Sequence, residues 1–489
     1  MSEALEKVRK FEENERQSVD FSKRPVYHVT GLKGWINDPN GFSYYNEEVH
    51  LFYQAHPYKT DHGPMHWGHA KTDDFIKWTY LPSAMAPDEK YDRNGCFSGT
   101  ALTMSDGRHL LMYTGVDEKG DSPETRRQTQ CIAIGDGIDY EKIKENPVID
   151  SSVLPAGSSD IDFRDPKIWA EDGRYYCIAV NRVADGSGAV LLFSSEDALH
   201  WNYGGMLAKS EYAYGDMWEC PDLFEMDGCD VLALSVQGMG EHSLLAPGYI
   251  SFAMIGEYDR LQPAFISENV QMLDEGIDFY APQTLLMPDG RRIMIGWMQN
   301  WDTVSEKHEN LDFNGQMSVP RELSIRDGRI YQRPVREFDN YRKERTHYEG
   351  LLVDGDFEAD GIIGRVLDLN LTIKQTEAGY EHFYIYLAEK KHIYTRIDVD
   401  ANASMIRVNR TCSRKEPGTI NERSFRYTDE GGNLKLRILL DRYSMEIFVQ
   451  DGAQAATFLI YSEQDADGIH FSADGEALLD IDQYTIDLN

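Results

Sequence analysis

The sequence of 489 residues predicts an all-β protein, a five-bladed β-propeller followed by a C-terminal β-sandwich. Two observations lead to this prediction. A phrase made of a small or acidic residue, an apolar strand, a polar turn and a second apolar strand recurs five times before residue 300, without helical periodicity between the copies. Beyond Gly350 the phrase is absent, and short stretches alternate between apolar and polar residues, which is typical of strands with one solvated face.

The five copies of the phrase each have the pattern of a β-hairpin, with alternating residues around an Asp-Gly or Asn-Glu turn. They read NDPNGFSYYNEEVHLFYQ, FSGTALTMSDGRHLLMYTG, RDPKIWAEDGRYYCIAV, ECPDLFEMDGCDVLALS and YAPQTLLMPDGRRIMIGW. When they are aligned on Pro39, Thr100, Pro166, Pro221 and Pro282, the copies start about 55 to 66 residues apart. Radial repetition of such units predicts a propeller with five blades.

The composition divides the chain into four segments. A helix is expected from Glu3 to about Val19, ending before Pro25, because a proline restricts the residue that precedes it. The strongly charged stretch EFDNYRKERTHYEG indicates a linker helix or loop between two domains. We therefore expect a helical extension at 1–24, the propeller at 25–335, the linker at 336–349 and the sandwich at 350–489.

Charge and cysteine usage exclude several classes of protein. The formal net charge of −34 argues against nucleic-acid binding, which requires an excess of lysine and arginine. No apolar run approaches the ~20 residues of a membrane span, and the polar N-terminal segment lacks the apolar core of a signal peptide. The six cysteines lie far apart without a CxxC pair, which is typical of free thiols in a reducing compartment. We expect a cytoplasmic protein, monomeric or homodimeric, without a membrane partner.

Three carboxylates occupy the opening position of the repeated phrase. Asp38 and Asp165 directly precede the aligned proline, and Glu219 precedes it by two residues. Ser98 and Tyr280 take this place in the second and fifth copies. Because the first strand of every propeller blade lines the central channel, these side chains are expected to converge on one axis. Acids beside proline also cap turns, which is the structural alternative for any one of them.

Tryptophans stand beside the three acids in sequence. Trp35, Trp218 and Trp297 offer ring faces on which the C–H faces of a sugar can stack. Two carboxylates across a glycosidic bond are the usual equipment for glycoside hydrolysis. The pattern therefore indicates a glycosidase, and the alternative is a propeller that binds carbohydrate without catalysis.

The motifs WINDPNGF, FSGT, FRDPK and WECPDLF resemble the signature blocks of glycoside hydrolase family 32, which comprises invertases, sucrose-6-phosphate hydrolases and fructan hydrolases. PRELSI, QRPV and RYSMEIF are similar to later blocks of that family, so the resemblance covers nearly the whole chain. Related propeller glycosidases that act on arabinose or xylose share the three acids but lack the NDPNG wording. The combination of NDPNG, RDP and ECP in this order is highly specific.

The resemblance implies a retaining β-fructofuranosidase that acts on sucrose or sucrose-6-phosphate through a covalent fructosyl-enzyme intermediate. It implies that Asp38 is the nucleophile, that Glu219 is the general acid/base and that Asp165 holds two fructosyl hydroxyls. Eight neighbours are expected to bind substrate, namely Asn37, Gln54, Trp67, Phe97, Ser98, Arg164, Tyr280 and Trp297. Two of these have structural alternatives, since Gln54 could be a solvated strand end and Arg164 could pair with Asp165.

Four histidines lie close together in the segment HPYKTDHGPMHWGHA, at His56, His62, His66 and His69. The H-x3-H spacing is typical of a pair of metal ligands on a helix, but Gly63 and Pro64 break any helix that would align them. The segment is instead expected to form a loop at the channel mouth that touches the second sugar. No metal and no organic cofactor is expected.

The sequence leaves the substrate open among three alternatives: sucrose or its 6-phosphate, a short fructo-oligosaccharide that is hydrolysed, and fructosyl transfer. A phosphate would need a local cation, and the nearest candidates in motif terms are Lys59, His62, His66, Arg126 and Arg127. For the two arginines the alternative is a solvated loop.

Overall fold

A computed structural model of the chain describes residues 1–117, 125–240, 243, 245–308, 310–428 and 431–489. The chain begins with helix α1 (Glu3–Arg16), which ends slightly before the sequence prediction, and a 3-10 turn at Phe21–Lys23. Further 3-10 turns lie at Ser151–Val153, Arg336–Tyr341, Thr411–Ser413 and Gln450–Gly452. No helix in the described part of the chain has the length and apolar character to span a bilayer.

The predicted five-bladed propeller is confirmed, with four antiparallel strands in each blade. The first blade contains β1 (Gly34–Tyr45), β2 (Glu48–His56), β3 (His66–Thr72) and β4 (Thr79–Met85), and the second contains β5 (Gly95–Thr103), β6 (His109–Val116), β7 (Gln128–Gly135) and β8 (Tyr140–Lys142). The third contains β9 (Phe163–Glu171), β10 (Arg174–Arg182), β11 (Gly188–Ser195) and β12 (Trp201–Lys209), and the fourth contains β13 (Met217–Met226), β14 (Cys229–Met239), β15 (Gly248–Asp259) and β16 (Ala264–Met272). The fifth contains β17 (Tyr280–Leu286), β18 (Arg292–Trp297), β20 (Arg321–Arg326) and β21 (Arg329–Pro334).

The ring is closed by the short strand β19 (Phe313–Asn314), which follows the second strand of blade five and pairs in parallel with β1 of blade one. Neighbouring blades pack face to face through buried apolar clusters. Examples are Phe52 with Tyr113, Leu110 with Leu191, Val190 with Phe252, Val231 with Met294, and Leu51 with Ile295. This packing of alternate apolar residues explains why a period-2 pattern was sufficient to predict the blades.

The C-terminal region is the predicted β-sandwich. Its strands are β22 (Arg342–Phe357), β23 (Leu367–Gln375), β24 (His382–Lys390), β25 (Ile393–Asp400), β26 (Met405–Asn409), β27 (Glu422–Arg426), β28 (Asn433–Asp441), β29 (Ser444–Val449), β30 (Gln454–Leu459) and β31 (Gly468–Ile486). The long strand β31 pairs with β24 through its first half and with β23 through its second half, so it joins the two halves of one continuous ten-stranded sheet. Inward-facing residues such as Leu369, Ile397 and Ile438 form one core.

The segment 336–349 differs from the linker that its charges suggested. After the 3-10 turn at 336–341, the chain enters β22, which pairs with β31 from Arg342 opposite Ile486 onward. β22 has β31 as its one paired neighbour, so it is an edge strand, and polar side chains are expected on an edge. One of the charges that suggested a linker, Arg345, pairs on the sheet with Asp482.

The two domains share a continuous interface. Leu439, Phe448 and Ala455 of the sandwich belong to the same apolar cluster as Val319 and Phe338 of the preceding region. This shared core indicates that the sandwich supports one side of the propeller.

Candidate active site

Each innermost strand of the propeller carries a β-bulge where its sequence motif stands, and β1 has a second register shift between Asn40 and Ser43. The register shifts lie between Ile36 and Pro39, Phe97 and Gly99, Arg164 and Lys167, Glu219 and Asp222, and Tyr280 and Gln283. At three bulges the backbone is left-handed, with φ of 61° at Asp165, 49° at Cys220 and 52° at Ala281. A bulge re-aims side chains away from the regular alternation. Five bulges at one level of the channel thus bring the motif residues together.

Asp38 is held by donors from two blades. Ser98 Oγ donates to its Oδ2 at 2.6 Å, and Asn37 Nδ2 donates to its Oδ1 at 3.0 Å. Asn37 is itself oriented, because the indole N–H of Trp35 donates to its Oδ1 at 2.8 Å. The carboxylate is therefore fixed in direction while remaining partly exposed to the channel.

Asp165 lies beside Asp38 and shares a neighbour with it. The backbone N–H of Cys220 donates to Asp165 Oδ2 at 3.0 Å. The Cys220 thiol lies 3.7 Å from the same oxygen and 3.6 Å from Asp38 Oδ2. The backbone N–H of Asp165 donates to Thr114 Oγ1 at 2.9 Å, which anchors its strained backbone. The thiol of Cys220 thus bridges the two acids from the fourth blade.

Glu219 completes the trio and is held by two side chains. Tyr280 Oη donates to its Oε2 at 2.7 Å, and Arg164 Nε donates to its Oε1 at 3.1 Å. Arg164 Nη2 also lies 3.1 Å from Glu219 Oε1, and Arg164 Nη1 donates to Asp162 at 3.2 Å and to Gln128 at 3.3 Å. Arg164 therefore does not form the ion pair with Asp165 that the sequence left open; it joins the third blade to the acid of the fourth.

Burial and mutual repulsion act on the first two acids. Burial raises the pKa of Asp38, and the charge of Glu219 adds to that rise, while the hydrogen bonds from Ser98 and Asn37 oppose it. Burial also raises the pKa of Asp165 to about 7, with Glu219 and Asp38 contributing and Arg164 opposing. Acids whose pKa values are shifted by burial and by one another are typical of catalytic sites.

Aromatic rings surround the mouth of this channel. Trp35 meets Trp297 edge to face at 5.7 Å and lies nearly parallel to Trp301 at 6.3 Å. Trp297 is fully buried, and its indole nitrogen has no hydrogen-bond partner among the described residues. The exposed ring of His62 approaches Trp301 at 5.5 Å and Phe97 at 6.3 Å. The expectation of a loop holds for His62 alone, because His56 ends β2 and the buried His66 and His69 belong to β3.

The structure brings six of the eight expected neighbours to the acids or to the mouth, namely Asn37, Phe97, Ser98, Arg164, Tyr280 and Trp297. Trp67 lies elsewhere: it is fully buried between blades one and two, where its indole N–H donates to the carbonyl of Phe97 at 3.1 Å. Gln54 is also buried and donates to the carbonyl of Cys96 at 2.9 Å, opposite the bulge of β1. Both residues support the strands that carry the site.

Sequence reasoning missed Trp301 and misplaced Trp218. Trp301 stands outside the five repeated phrases, in the segment between β18 and β19, so no repeat position pointed to it. Trp218 precedes Glu219 in sequence, but its side chain points into the core of blades three and four, because neighbours along a strand face opposite ways. The proximity of a tryptophan in sequence was therefore a poor guide to its role.

The two domains match two family models. Residues 28–334 match the model described as the glycosyl hydrolases family 32 N-terminal domain, and residues 337–487 match the model described as glycosyl hydrolases family 32 C terminal. The boundary between the matches coincides with the 3-10 turn that precedes β22.

Individual proteins are similar over nearly the full length. A raffinose invertase of Escherichia coli is 36% identical over 468 residues, which is 93% of this chain and 93% of that protein. A sucrose-6-phosphate hydrolase of Zymomonas mobilis is 34% identical over 93% of this chain and 90% of its own. Among solved structures, a β-fructofuranosidase of Bombyx mori superposes with a TM-score of 0.84 at 29% identity, covering 99% of this chain and 98% of that one. A mutant of the Bombyx mori enzyme solved in complex with sucrose gives the same TM-score at 30% identity, covering 99% of each chain.

Proposed function

The chain belongs to glycoside hydrolase family 32, and from this premise we propose that it is a retaining β-fructofuranosidase that hydrolyses the fructosyl bond of sucrose or sucrose-6-phosphate. The observation that carries the proposal is the meeting of Asp38, Asp165 and Glu219 on the bulged inner strands, beside the accessible rings of Trp301 and His62. The names of the relatives, an invertase and a sucrose-6-phosphate hydrolase, support the same substrate class.

In the first step, Glu219 donates a proton to the glycosidic oxygen while Asp38 attacks the anomeric carbon of the fructosyl ring. The glycosidic bond breaks, the glucosyl half leaves as the neutral sugar, and an ester joins the fructosyl group to Asp38. In the second step, Glu219 accepts a proton from water, the water oxygen attacks the anomeric carbon, and the ester bond breaks. Fructose leaves, and both carboxyl groups return to their starting states.

The neighbours of the acids have matching roles in this proposal. Ser98 and Asn37 fix the direction in which Asp38 attacks, through the two hydrogen bonds that they donate. Tyr280 and Arg164 hold Glu219 at the height of the glycosidic oxygen. Asp165 accepts hydrogen bonds from fructosyl hydroxyls, and its negative charge stabilises the positive charge that develops on the ring in the transition state.

The test is steady-state hydrolysis of sucrose by Asp38→Asn, compared with the unchanged protein and with Asp160→Asn. Asp160 pairs with Arg127 on the propeller rim and does not touch the three acids, so its variant is a matched control. Removing the nucleophile should lower kcat/KM at least about 1,000-fold, whereas the control should stay within about twofold. An Asp38→Asn variant that hydrolyses sucrose at the normal rate would refute the mechanism.

The substrate itself is decided by a side-by-side assay of sucrose, sucrose-6-phosphate and raffinose. A preference of tenfold or more for the phosphate corresponds to about 1.4 kcal/mol of specific recognition. Raffinose belongs in the set because one relative is named for it. Detection of fructosylated sugars at high sucrose concentration would favour the transfer alternative over simple hydrolysis.

Cytoplasmic location and a monomeric or homodimeric state form part of the proposal. The six cysteines form no disulfide with one another, which is consistent with a reducing compartment. Cell fractionation and light scattering of the purified protein test the two statements separately.

A further inference from the structure

The loop between β2 and β3, residues 57–65 and here called the mouth loop, places one ring at the leaving-group side of the site. His62, at its centre, is exposed and lies edge-on to Trp35 at 6.2 Å and to Trp301 at 5.5 Å. The three acids lie deeper in the channel, on the inner strands. A substrate whose fructosyl half reaches the acids therefore presents its second sugar to the mouth loop.

The inner side of the mouth loop is fixed by polar contacts. Lys307 forms an ion pair with Asp61, and Asn314 donates to the carbonyl of Thr60 at 3.1 Å. His56 Nδ1 donates to the carbonyl of Asp61 at 2.8 Å. A Cβ at Gly63 would come within 2.5 Å of the His56 ring, so the chain passes that ring closely. The loop is held against blade five and against the end of its own strand.

The outer side of the mouth loop rests on helix α1. The ring of Tyr58 lies 4.9 Å from that of Phe11, and the ammonium of Lys7 lies 6.0 Å from the Tyr58 ring. On its other side Tyr58 meets His66 at 5.8 Å and His56 at 6.3 Å. Tyr58 is therefore the contact that joins the helix to both ends of the mouth loop.

Helix α1 can support the loop because it is itself anchored to blade one. Arg9 Nε donates to the carbonyl of Ser83 at 2.9 Å, and the Ser83 N–H donates to Glu12 at 2.9 Å. Arg16 donates to the carbonyl of Tyr80 at 3.0 Å. These backbone groups lie on the outer edge of β4, so the helix is held by hydrogen bonds to an edge strand of blade one.

We propose that α1 is a positioning element for the leaving-group side of the active site, acting through Phe11 and Tyr58 on the mouth loop and thereby on His62. The inference rests on the proposed function. The helix touches none of the acids, so its influence falls on the second sugar and leaves the fructosyl side unchanged. Substrates with a sugar leaving group should depend on the helix contact, and a fructoside with a small leaving group should not.

The experiment compares Phe11→Ala with Leu5→Ala on sucrose and on methyl β-fructofuranoside. Leu5 belongs to the same helix as Phe11 and packs with Val8 and with Ala86, the residue after β4; it is the matched control because it lies outside the Phe11–Tyr58 contact. Phe11→Ala should lower kcat/KM for sucrose about three- to tenfold, mainly through KM, because an aromatic pair of this kind is lost. It should change the methyl fructoside less than twofold, and Leu5→Ala should affect both substrates equally.

Tyr58→Phe keeps the ring and should behave as the unchanged protein, while Tyr58→Ala should reproduce Phe11→Ala and replaces it if that variant does not fold. An equal loss on both substrates, or no loss on sucrose, would overturn the inference. Neither result touches the proposed mechanism, which fails separately if Asp38→Asn remains active. Melting temperatures of all variants show whether the changes in KM follow loss of stability.

Discussion

Two groups of buried carboxylates, one in the channel and one at the domain junction, differ in the charged partners that surround them. At the junction, Asp441 accepts from the backbone N–H groups of Val26 and Tyr27 and pairs with His28 at 2.8 Å. The hydrogen bond and charge of His28 outweigh the effect of burial, so the pKa of Asp441 lies below its ordinary value. Every charge there meets a partner.

Glu446, the second acid of the junction, is also surrounded by partners that outweigh the effect of burial. Glu446 bonds Arg321 at 2.6 Å and His28 at 2.9 Å, and accepts from the backbone N–H of Val319 at 2.8 Å. Its pKa is lowered despite burial, through the charge of Arg321 and the bond to His28. Asp274 shares Arg321 but differs, because burial raises its pKa in spite of that arginine.

In the channel, burial raises the pKa of both Asp38 and Asp165, and among the described residues no cation forms an ion pair with either carboxylate. Arg164, the nearby guanidinium, is bonded to Glu219 and Asp162. The lesson of the comparison is that burial alone does not decide the state of an acid. At the junction the buried acids form ion pairs, which stabilise the fold. In the channel Asp38 and Asp165 form no ion pair, so their carboxylates remain available to a substrate.

The largest expected effect comes from breaking the junction. Arg321→Met leaves Glu446 and Asp274 buried without their shared cation, which should lower the free energy of unfolding by about 3–5 kcal/mol. Urea denaturation measures the change. The control is Arg336→Met, since Arg336 pairs with Glu322 at an exposed position and should cost less than about 1 kcal/mol. Equal effects of the two variants would remove the distinction between buried and exposed pairs.

In the channel, removing a charged group is expected to raise the free energy of unfolding. A carboxyl whose pKa is raised to about 7 destabilises the fold progressively as pH rises from about 4 to 7, because the folded state resists ionisation. At about pH 8 the free energy of unfolding of Asp165→Asn should therefore exceed that of the unchanged protein by up to roughly 4 kcal/mol. The activity of the same variant should fall at least about 100-fold. The stability gain should vanish near pH 4, and a gain independent of pH would contradict this cause.

At the junction, deprotonation of His28 is expected to lower the stability of the fold at alkaline pH. Its pKa is raised to about 9, since the bonds to Asp441 and Glu446 overcome burial. The stabilisation is complete below about pH 6.5 and is lost as pH rises through 9, a fall of at most roughly 3 kcal/mol. Denaturation of His28→Gln between about pH 6 and 10 should show a shallower slope than the unchanged protein. Parallel slopes would mean that another group titrates at the junction.

Ser98→Ala should have the smallest effect and sharpens the comparison within the channel. It removes the 2.6 Å hydrogen bond to Asp38, so the pKa of Asp38 should rise further. The acidic limb of the kcat/KM profile should move to higher pH, with a loss of about tenfold at neutral pH and little change in stability. An unmoved acidic limb would show that Ser98 does not tune the nucleophile.

Much of the site could be predicted because the repeat encodes it. Asp38, Ser98 and Tyr280 stand at equivalent places of different copies, and equivalence in a propeller means convergence on the axis. Residues outside the repeat, such as Trp301, carry no such signal. Trp67 could not be assigned correctly either, because a tryptophan near a motif can face the channel or the blade core, and its position in the sequence does not distinguish the two.

The sequence by itself determined the fold class, the five repeats, the two domains and the three acids, since each depends on local periodicity or on a repeated position. The tertiary structure decided what depends on distant partners: the strand in place of the linker, the bonding of Arg164 to Glu219, and the contact of α1 with the mouth loop. The physical reason is that periodicity fixes which face of a strand is buried. The partners that a charge meets on that face come from other parts of the chain.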